Sequence, residues 1–454
     1  MRYSISFFVL APFAVMLACS GDSSSSSDGG PDATNDVADA STETGYPAFA
    51  VDMPQIAKNQ GAVLSAPVIA TITWATDTNE PTWEAFDDAI GASSYWNATT
   101  SEYGVGVATS GANNHVRMQQ PLASTLSYDD LQSYIIAKLQ AADLDGGVDA
   151  SGDGGAPDPT WPAPTLDGQN NAQTIYSLFV PSNVDVTDPG SGMGFCEEGG
   201  LGYHDDVLIG GRPTPYTVTL ECSSQTLAQI EETAAHEAVE AATNPYPEST
   251  STLGYVHFDP AHLAWDLFTG YNDELADACQ NWQDSYYQET GNFPYWVQRS
   301  WSNHAALLGH DPCAPAPSGP YHGMTLMPTE ESPVTVNLSV IGGGNATTQG
   351  FPVTVGQPLT FHVGFYSDAP DDAWTISYEF PADLQLSDMF NPVGNGAATV
   401  LLDTTSGQNG DVVTVTVTPT KKGPAGFQLM AITWDAPSSN AYLPHYLPVL
   451  LVDQ

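Results

Sequence analysis

Apolar and polar residues alternate in blocks over residues 47–315, and these blocks predict a domain that mixes strands and helices. Apolar runs rich in β-branched residues are typical of buried strands. Three runs have this character and are predicted as strands: Ala66–Trp74, Tyr103–Thr109 and Thr174–Val180. We therefore expect a mixed sheet in this domain.

Helical spacing appears in three stretches of the same domain. The first stretch is Trp83–Ile90. The second is Ser127–Ala142, and it begins with a Ser-x-x-Asp pattern that resembles a capping box. Gln225–Pro247 is the third, and an Asn-Pro turn ends it. Residues 143–168 are rich in Asp, Gly and Pro and are predicted as a surface insertion. Their aspartates lack EF-hand spacing, so a solvated loop is favoured over a calcium site.

The pattern changes after the linker Ala314–Pro320, and residues 321–454 are predicted as an all-β, immunoglobulin-like sandwich. Valine and threonine alternate over residues 413–418, which places the valines inside. Trp374 and Trp434 are candidates to line a sugar-binding face, but core packing is the better explanation. The predicted strands are Thr335–Val340, Leu359–Phe365, Thr375–Phe380, Asp411–Thr418 and Phe427–Trp434.

The first 19 residues have the pattern of a bacterial lipoprotein signal peptide. A short apolar run ends in Met-Leu-Ala-Cys, so Cys19 is the candidate lipidation site, although Leu17 is larger than usual there. The alternative is a plain secretory signal that is cut near Ala18. Residues 20–46 are a Ser, Asp and Gly tether that is expected to be disordered. We expect a lipid-anchored protein of the bacterial outer membrane or cell surface, or a secreted one.

The overall charge narrows the choice of partners. The 454 residues include 8 Lys and Arg against 53 Asp and Glu, which gives a formal net charge of -45. Such a chain repels nucleic acids and anionic membrane surfaces. We therefore expect no nucleic-acid partner, membrane contact only through an anchor at Cys19, and a monomer.

Candidate chemistry is concentrated in the third helix, which carries His-Glu-x-x-Glu at residues 236–240. Residues four apart share a helix face, so His236 and Glu240 can bind one cation. Glu237 then points toward the open coordination position as a general base. This is the zincin helix pattern with glutamate in place of the second histidine. The added carboxylate makes the site harder, so zinc is the first expectation and calcium or manganese are alternatives.

The motif alone also fits an ordinary solvated helix face. Alanines surround the charged residues, however, and a buried helix with these charges needs a partner for them, which a metal provides. Glu274 and Asp277 are three apart, and one is expected to be the third ligand while the other orients it. His204 is a further candidate, as an extra ligand or a stabiliser of the transition state, although a lone histidine is more often structural.

Several motifs occur in an order that resembles the plant phosphate-induced (exordium) proteins and their bacterial secreted relatives. They are His236-Glu237-x-x-Glu240 with Thr243-Asn244-Pro245, Glu274-Leu275-Ala276-Asp277-x-Cys279, Trp301-Ser302-Asn303, Cys313, Gly194-Phe195-Cys196 and Gly202-Tyr203-His204. The resemblance covers the main domain and implies an extracellular protein with a zincin-like site. Where the family has a second cysteine before Gly-Tyr-His, this chain has Leu201, so Cys196 needs another partner.

Four cysteines remain if Cys19 is lipidated, and an even number in an exported chain suggests disulfides. The pairs predicted here are Cys196–Cys222 and Cys279–Cys313, which would flank the site. A metal site with cysteine ligands is the less favoured alternative, because the chain has no Cys-x-x-Cys pair.

Two functions follow from this sequence. The first is an extracellular metal-dependent hydrolase, a zinc peptidase by preference, that acts on peptide, protein or cell-wall substrates. The second is a non-catalytic adhesion or cell-wall-binding lipoprotein in which the acidic site binds a structural cation. The predicted fold is α+β, with a zincin-like main domain on a mixed sheet and a C-terminal sandwich.

Overall fold

The computed structural model describes residues 45–143, 158–187, 192–198, 201–250, 252–269, 274–339, 343–380, 398–423, 425–435 and 444–454. Cys19, the signal segment and nearly all of the tether lie outside these ranges, as do residues 144–157 of the predicted insertion. Among the described residues, no helix has the length and apolar character needed to cross a membrane.

The α-helices follow one another along the main domain. They are α1 Glu80–Ile90, α2 Ser94–Thr100, α3 Tyr128–Asp143, α4 Phe195–Glu198, α5 Leu227–Thr243, α6 Leu263–Thr269, α7 Asp277–Gln280 and α8 Asn303–Leu308. Short 3-10 helices occur at Ser101–Tyr103, Ala112–Asn114 and Pro260–His262.

Strands occur in both parts of the chain. Those of the first part are β1 Ile56–Lys58, β2 Val68–Trp74, β3 His115–Met118, β4 Thr125–Ser127, β5 Thr174–Val180, β6 Asp185–Thr187, β7 Gly202–Ile209, β8 Arg212–Leu220, β9 Tyr255–Phe258, β10 Tyr286–Gln288, β11 Trp296–Gln298, β12 Ser300–Trp301 and β13 Cys313–Ala314. Those of the second part are β14 His322–Leu326, β15 Ser332–Asn337, β16 Asn345–Val353, β17 Leu359–Ser367, β18 Trp374–Glu379, β19 Ala398–Leu402, β20 Ser406–Gly407, β21 Val412–Pro419, β22 Phe427–Trp434 and β23 His445–Asp453.

A five-stranded mixed sheet lies at the centre of the first part, in the order β3-β2-β5-β8-β7. Its neighbours are parallel except for β7 and β8, which form an antiparallel pair. Parallel neighbours need crossover connections, and α1, α2 and α3 lie within those connections. The mixed sheet and the α+β class predicted from the sequence are therefore confirmed.

Side chains of β2 alternate between the two faces of this sheet, as strand geometry requires. Ile72 and Trp74 pack in one apolar cluster with Leu131 and Ile135 of α3. Ile69 packs in the other cluster, which also contains residues of α1 and α5. The helix that carries the candidate site therefore lies on the opposite face of the sheet from α3.

One predicted strand is wrong. Residues Tyr103–Thr109 form the end of a 3-10 helix and then a loop, and only Thr109 makes an isolated bridge to Val68. Gly104 has a φ of 85°, a left-handed conformation that ends the preceding helical turn and does not belong to a strand. The strand that pairs with β2 on this side is His115–Met118, where the apolar alternation covers four residues only.

The predicted insertion over 143–168 is not a solvated loop at its C-terminal end. Trp161 is buried and its ring lies 5.6 Å from that of Tyr176 on β5. Asp158 accepts a hydrogen bond from Lys138 of α3 at 3.0 Å. Trp161 therefore attaches this part of the segment to the sheet, although the composition of the segment predicted a solvated loop.

The second part consists of a four-stranded sheet, β14-β17-β21-β19, and a six-stranded sheet, β15-β16-β23-β22-β18-β20. The predicted alternation on β21 is confirmed, because Val413, Val415 and Val417 are buried. Trp374 and Trp434 are 2% and 3% exposed, so they serve core packing as expected. The arrangement is sandwich-like.

The two parts share apolar packing across the linker. Leu263 and Leu267 of α6 belong to one cluster with Leu429 and Leu450 of the six-stranded sheet. At the start of the described chain, the backbone N–H of Ala48 donates to Asn409 Oδ1 at 3.0 Å. The first part, which carries the candidate site, is therefore packed against the sandwich.

Candidate metal centre

Helix α5 carries the motif and is buried almost along its whole length. Thr226 and Gln229 form a reciprocal capping box that fixes its first turn. Every residue from Ile230 to Thr243 is buried. The many alanines of this segment let the helix lie close to β7 and β8, so its charged side chains are enclosed by protein.

The strand β7 approaches the helix at Gly202. A Cβ atom at this position would lie 3.2 Å from Glu237 Cγ, 2.6 Å from Thr233 Cγ2 and 2.8 Å from the carbonyl oxygen of Val218. Glycine is therefore needed for the helix to bring Glu237 this close to the sheet. His204, two residues along the same strand, faces the same helix.

His236 is fully buried and is oriented by Gln298 of β11. The Gln298 amide nitrogen donates to the carbonyl oxygen of Ala276 at 2.7 Å, which turns its Oε1 toward His236 Nδ1 at 3.1 Å. That oxygen can only accept, so Nδ1 carries the proton. The Nε2 lone pair is then directed at the carboxylates, which is the usual arrangement of a histidine that binds metal.

Two carboxylates converge on that nitrogen. Glu240 Oε2 lies 3.2 Å from His236 Nε2, and Asp277 Oδ1 lies 3.5 Å from the same atom. The other oxygen of each accepts from backbone: the N–H of Asp277 donates to Glu240 Oε1, and the N–H of Glu274 donates to Asp277 Oδ2, both at 3.2 Å. Each carboxylate is thus held with one oxygen turned to the centre.

His204 forms the second half of the centre. Its Nδ1 lies 3.8 Å from Glu237 Oε2 and 3.6 Å from Glu240 Oε2. Its Nε2 lies 3.2 Å from the carbonyl oxygen of Asn244 and 3.4 Å from Glu274 Oε2. The side chain of Asn244, the residue that ends α5, also donates to Glu274.

The electrostatics of the centre follow from burial and from these short separations. Burial alone lowers the pKa of His236, but Glu240, Glu237 and Asp277 raise it to about 10. Burial opposes the ionised form of Glu240, yet His236 and His204 lower its pKa to about 2. Burial raises the pKa of Glu237, and it raises the pKa of Glu274 to about 8. A cation that enters must displace the histidine protons, so its binding releases protons.

The two predicted disulfides are confirmed, and the second lies next to this centre. Cys196 of α4 pairs with Cys222, which lies between β8 and α5. Cys279 of α7 pairs with Cys313 of β13, and β13 pairs with β12, which begins two residues after Gln298. The second bridge therefore ties the helix that begins at Asp277 to the strands next to Gln298. These cysteines are bonded to each other and do not serve as metal ligands.

The structure brings all six predicted site residues together and places Glu274 and Asp277 beside different histidines. They are His204, His236, Glu237, Glu240, Glu274 and Asp277. Asp277 lies beside His236, whereas Glu274 lies beside His204 on the other side of Glu240. Helix α7 begins at Asp277, so Glu274 lies before the helix. Gln298 and Asn244 were not predicted. The one available signal for Gln298 is a polar residue that directly follows the apolar pair Trp296-Val297.

The donor set fits a divalent metal. His236, Glu240 and Asp277 each offer one ligand atom, and these atoms lie within 4.8 Å of one another. Ligands about 2.1 Å from a tetrahedral zinc are separated by about 3.4 Å. The separations of 3.2 and 3.5 Å around His236 Nε2 match that value. One imidazole and two carboxylates suit zinc or manganese.

Comparisons with known proteins add no functional information. No protein-family model and no curated protein matches this chain. The S-layer protein SbsC domains 4 and 5 match with a TM-score of 0.16 and 16% identity, over 27% of this chain and 46% of that one. A Bacteroides ovatus GH5 xyloglucanase in complex with a XXXG heptasaccharide matches with a TM-score of 0.14 and 14% identity, over 23% and 17%. The chain thus spans less than half of either structure.

Proposed function

We propose that this protein is an extracellular metal-dependent hydrolase with a zincin-like centre, and that peptides or proteins are its substrates. His236, Glu240 and Asp277 are the metal ligands, and Glu237 is the general base. The observation that carries the proposal is the convergence of one imidazole nitrogen and two carboxylate oxygens, each held by a hydrogen bond on its far side.

Each residue of the centre has a distinct function in this proposal. Gln298 fixes the ring of His236, and the backbone N–H groups of Asp277 and Glu274 fix the two carboxylates. A zinc ion bound there would polarise a substrate carbonyl and lower the pKa of water to about 7. Glu237 follows His236 on the helix and accepts the proton from water, and His204 lies beside Glu237 on the same side of the centre.

Access favours the side of the centre that His204 occupies. The side chain of Glu274 is 18% exposed, whereas those of His236, Glu240 and Asp277 are 0%, 3% and 3% exposed. A substrate therefore approaches past Glu274 and His204 and meets Glu237 before it reaches His236. The two disulfides support an oxidising, extracytoplasmic location. Lipid anchoring at Cys19 belongs to the same proposal.

The first test is the metal content of the full chain, wild type beside His236→Ala, by elemental mass spectrometry. We expect zinc in the wild type and the loss of at least one equivalent in the variant. Equal zinc in the two proteins would remove His236 from the ligands. The absence of zinc, manganese and calcium from both would contradict the metal centre itself.

The second test addresses catalysis. Glu237→Gln should retain the zinc held by His236 and lose turnover of a broad peptide panel by about 10²–10⁴-fold, the usual contribution of a general base. Glu231→Gln is the matched control, because Glu231 is a buried glutamate of the same helix that accepts a hydrogen bond from the backbone N–H of Trp296. Equal cleavage by wild type and Glu237→Gln would overturn the proposal.

The second candidate function is a non-catalytic surface or cell-wall-binding lipoprotein with a structural cation. The complete burial of His236 favours it, because a catalytic metal keeps one position open to substrate. It predicts that chelation lowers the melting temperature while no peptide or cell-wall fragment is cleaved. Cleavage that depends on Glu237 would exclude it.

A further inference from the structure

Glu240 faces two imidazoles through one oxygen atom. Its Oε2 lies 3.2 Å from His236 Nε2 and 3.6 Å from His204 Nδ1. The ligand atoms of His204, Glu237 and Glu240 form a second group within 4.8 Å of one another. On the basis of the proposed function, we propose that this second group binds a second divalent cation and that Glu240 bridges the two ions.

The orientation of His204 is that of a metal ligand. Its Nε2 lies 3.2 Å from the carbonyl oxygen of Asn244, an atom that can only accept a hydrogen bond. Nε2 therefore carries a proton, and the lone pair of neutral His204 is on Nδ1, which faces Glu237 and Glu240. His236 has the same arrangement with its nitrogens exchanged, since Gln298 accepts from Nδ1. Both imidazoles thus direct a lone pair toward Glu240 Oε2.

The charge of the centre calls for more than one divalent ion. Three buried carboxylates, Glu237, Glu240 and Asp277, and the partly buried carboxylate of Glu274 surround the two imidazoles. When bound cations displace the carboxyl and imidazole protons, so that all four carboxylates are ionised and both imidazoles are neutral, one divalent cation balances two of the four negative charges. Two divalent cations cancel the charge of the buried centre.

The separations agree with this arrangement. The distances of 3.6 and 3.8 Å from His204 Nδ1 to the two glutamates are a few tenths of an ångström longer than the about 3.4 Å edge of a tetrahedral site. Small side-chain rotations close that difference. An oxygen shared between the two ligand groups would place the ions about 3.5–4 Å apart, which is the spacing of two-metal hydrolytic centres.

Glu237 can bind the second ion and also act as the general base. Its Oε2 is the atom that faces His204, and a carboxylate has a second oxygen to accept a proton. Glu274 contacts His204 through Nε2, on the far side of the ring from Glu237, so it positions His204 and does not bind the ion. The hydrolase would then be a two-metal enzyme with zinc or manganese as the second ion.

The test is the number of ions bound by the full chain after equilibration with Zn²⁺ and, separately, with Mn²⁺. We expect two ions per chain in the wild type, one in His204→Ala, one in Asp277→Ala, and fewer than one in Glu240→Ala, which removes the shared ligand. The manganese protein should give the electron paramagnetic resonance spectrum of two coupled Mn²⁺ ions, and His204→Ala should give that of an isolated ion.

His310→Ala is the matched control, because His310 makes a histidine–carboxylate contact with Asp368 at 2.7 Å on the surface. It should retain two ions. His204→Gln replaces His204→Ala if circular dichroism shows that the alanine variant is unfolded. One ion in the wild type, lost in Asp277→Ala and retained in His204→Ala, would overturn the second site and leave the proposed function intact. The absence of any ion would reject both.

Discussion

His236 and His445 are both buried histidines, yet their surroundings have opposite effects on them. Carboxylate oxygens of Glu240 and Asp277 lie 3.2 and 3.5 Å from His236, and its pKa rises to about 10. His445 lies among aromatic rings, 4.8 Å from Trp282 and 5.7 Å from Trp434, and burial lowers its pKa to about 3 although Asp311 opposes the shift. Burial is common to both, so the neighbours decide the charge.

The comparison separates two kinds of polar burial. The centre around His236 concentrates charge that a cation can neutralise. The cluster around His445, which we call the aromatic junction, contains Trp265, Trp282, Tyr321, Trp434, His445 and Tyr446. It joins the last strand of the sandwich to the first part of the chain and has the composition of a core. We expect changes in the junction to alter stability and changes in the centre to alter metal binding.

The largest expected effect is that of Trp282→Ala. Trp282 is fully buried, its indole N–H donates to Asp311 Oδ1 at 3.0 Å, and its ring lies 4.8 Å from that of Tyr446. Removal of a buried tryptophan leaves a cavity and should lower the free energy of unfolding by about 3–5 kcal/mol. Denaturant unfolding measures this loss. The zinc content of the folded variant should equal that of the wild type. A loss of zinc would show that the aromatic junction also affects metal binding.

The next effect concerns pH and the aromatic junction. His445 has a folded pKa of about 3, below its value near 6.5 in the unfolded chain. The unfolded chain therefore binds more protons below pH 6.5, and stability is lost as the pH falls from about 6.5 toward 3. His445→Phe keeps a ring of similar size without the titrating group.

Between pH 7 and pH 4, the wild type should lose about 3 kcal/mol more than His445→Phe in the free energy of unfolding. The difference between the two proteins cancels the contributions of the other titrating groups. Chemical denaturation of both at several pH values checks this expectation. Parallel stability curves for the two proteins would show that His445 does not titrate as its surroundings imply.

A smaller effect is expected from Gln298→Leu, which removes the acceptor for His236 Nδ1 and leaves all the proposed ligands in place. Loss of such an orienting partner typically costs about 10–100-fold in metal affinity. Competition with a fluorescent zinc chelator measures the change. Gln288→Leu, on the neighbouring strand β10, is an exposed control that should not alter the affinity. Equal affinities in all three proteins would separate Gln298 from the metal centre.

Local patterns in the sequence predicted those features that depend on neighbouring residues along the chain. The strands Val68–Trp74 and Thr174–Val180 followed from apolar runs, and the helix Leu227–Thr243 followed from its spacing. The strand prediction for Tyr103–Thr109 was wrong because Gly104 adopts a left-handed conformation, which an apolar run does not reveal. The burial of Trp161 was not predicted, because the Asp, Gly and Pro residues around it indicated a solvated loop.

The candidate centre likewise has features that the sequence predicted and features that it did not. The sequence alone determined that His236 and Glu240 share a helix face with Glu237 beside them, because 3.6 residues per turn fix that geometry locally. It left the choice between Glu274 and Asp277 open, and it gave no role to Gln298. Those assignments depend on Asp277, which is 37 positions from Glu240, and on Gln298, which is 62 positions from His236. The packing of α7 and β11 brings both residues to the helix, and the Cys279–Cys313 disulfide braces them. Only the tertiary structure could decide them, because the distance between such residues is set by packing and not by spacing along the chain.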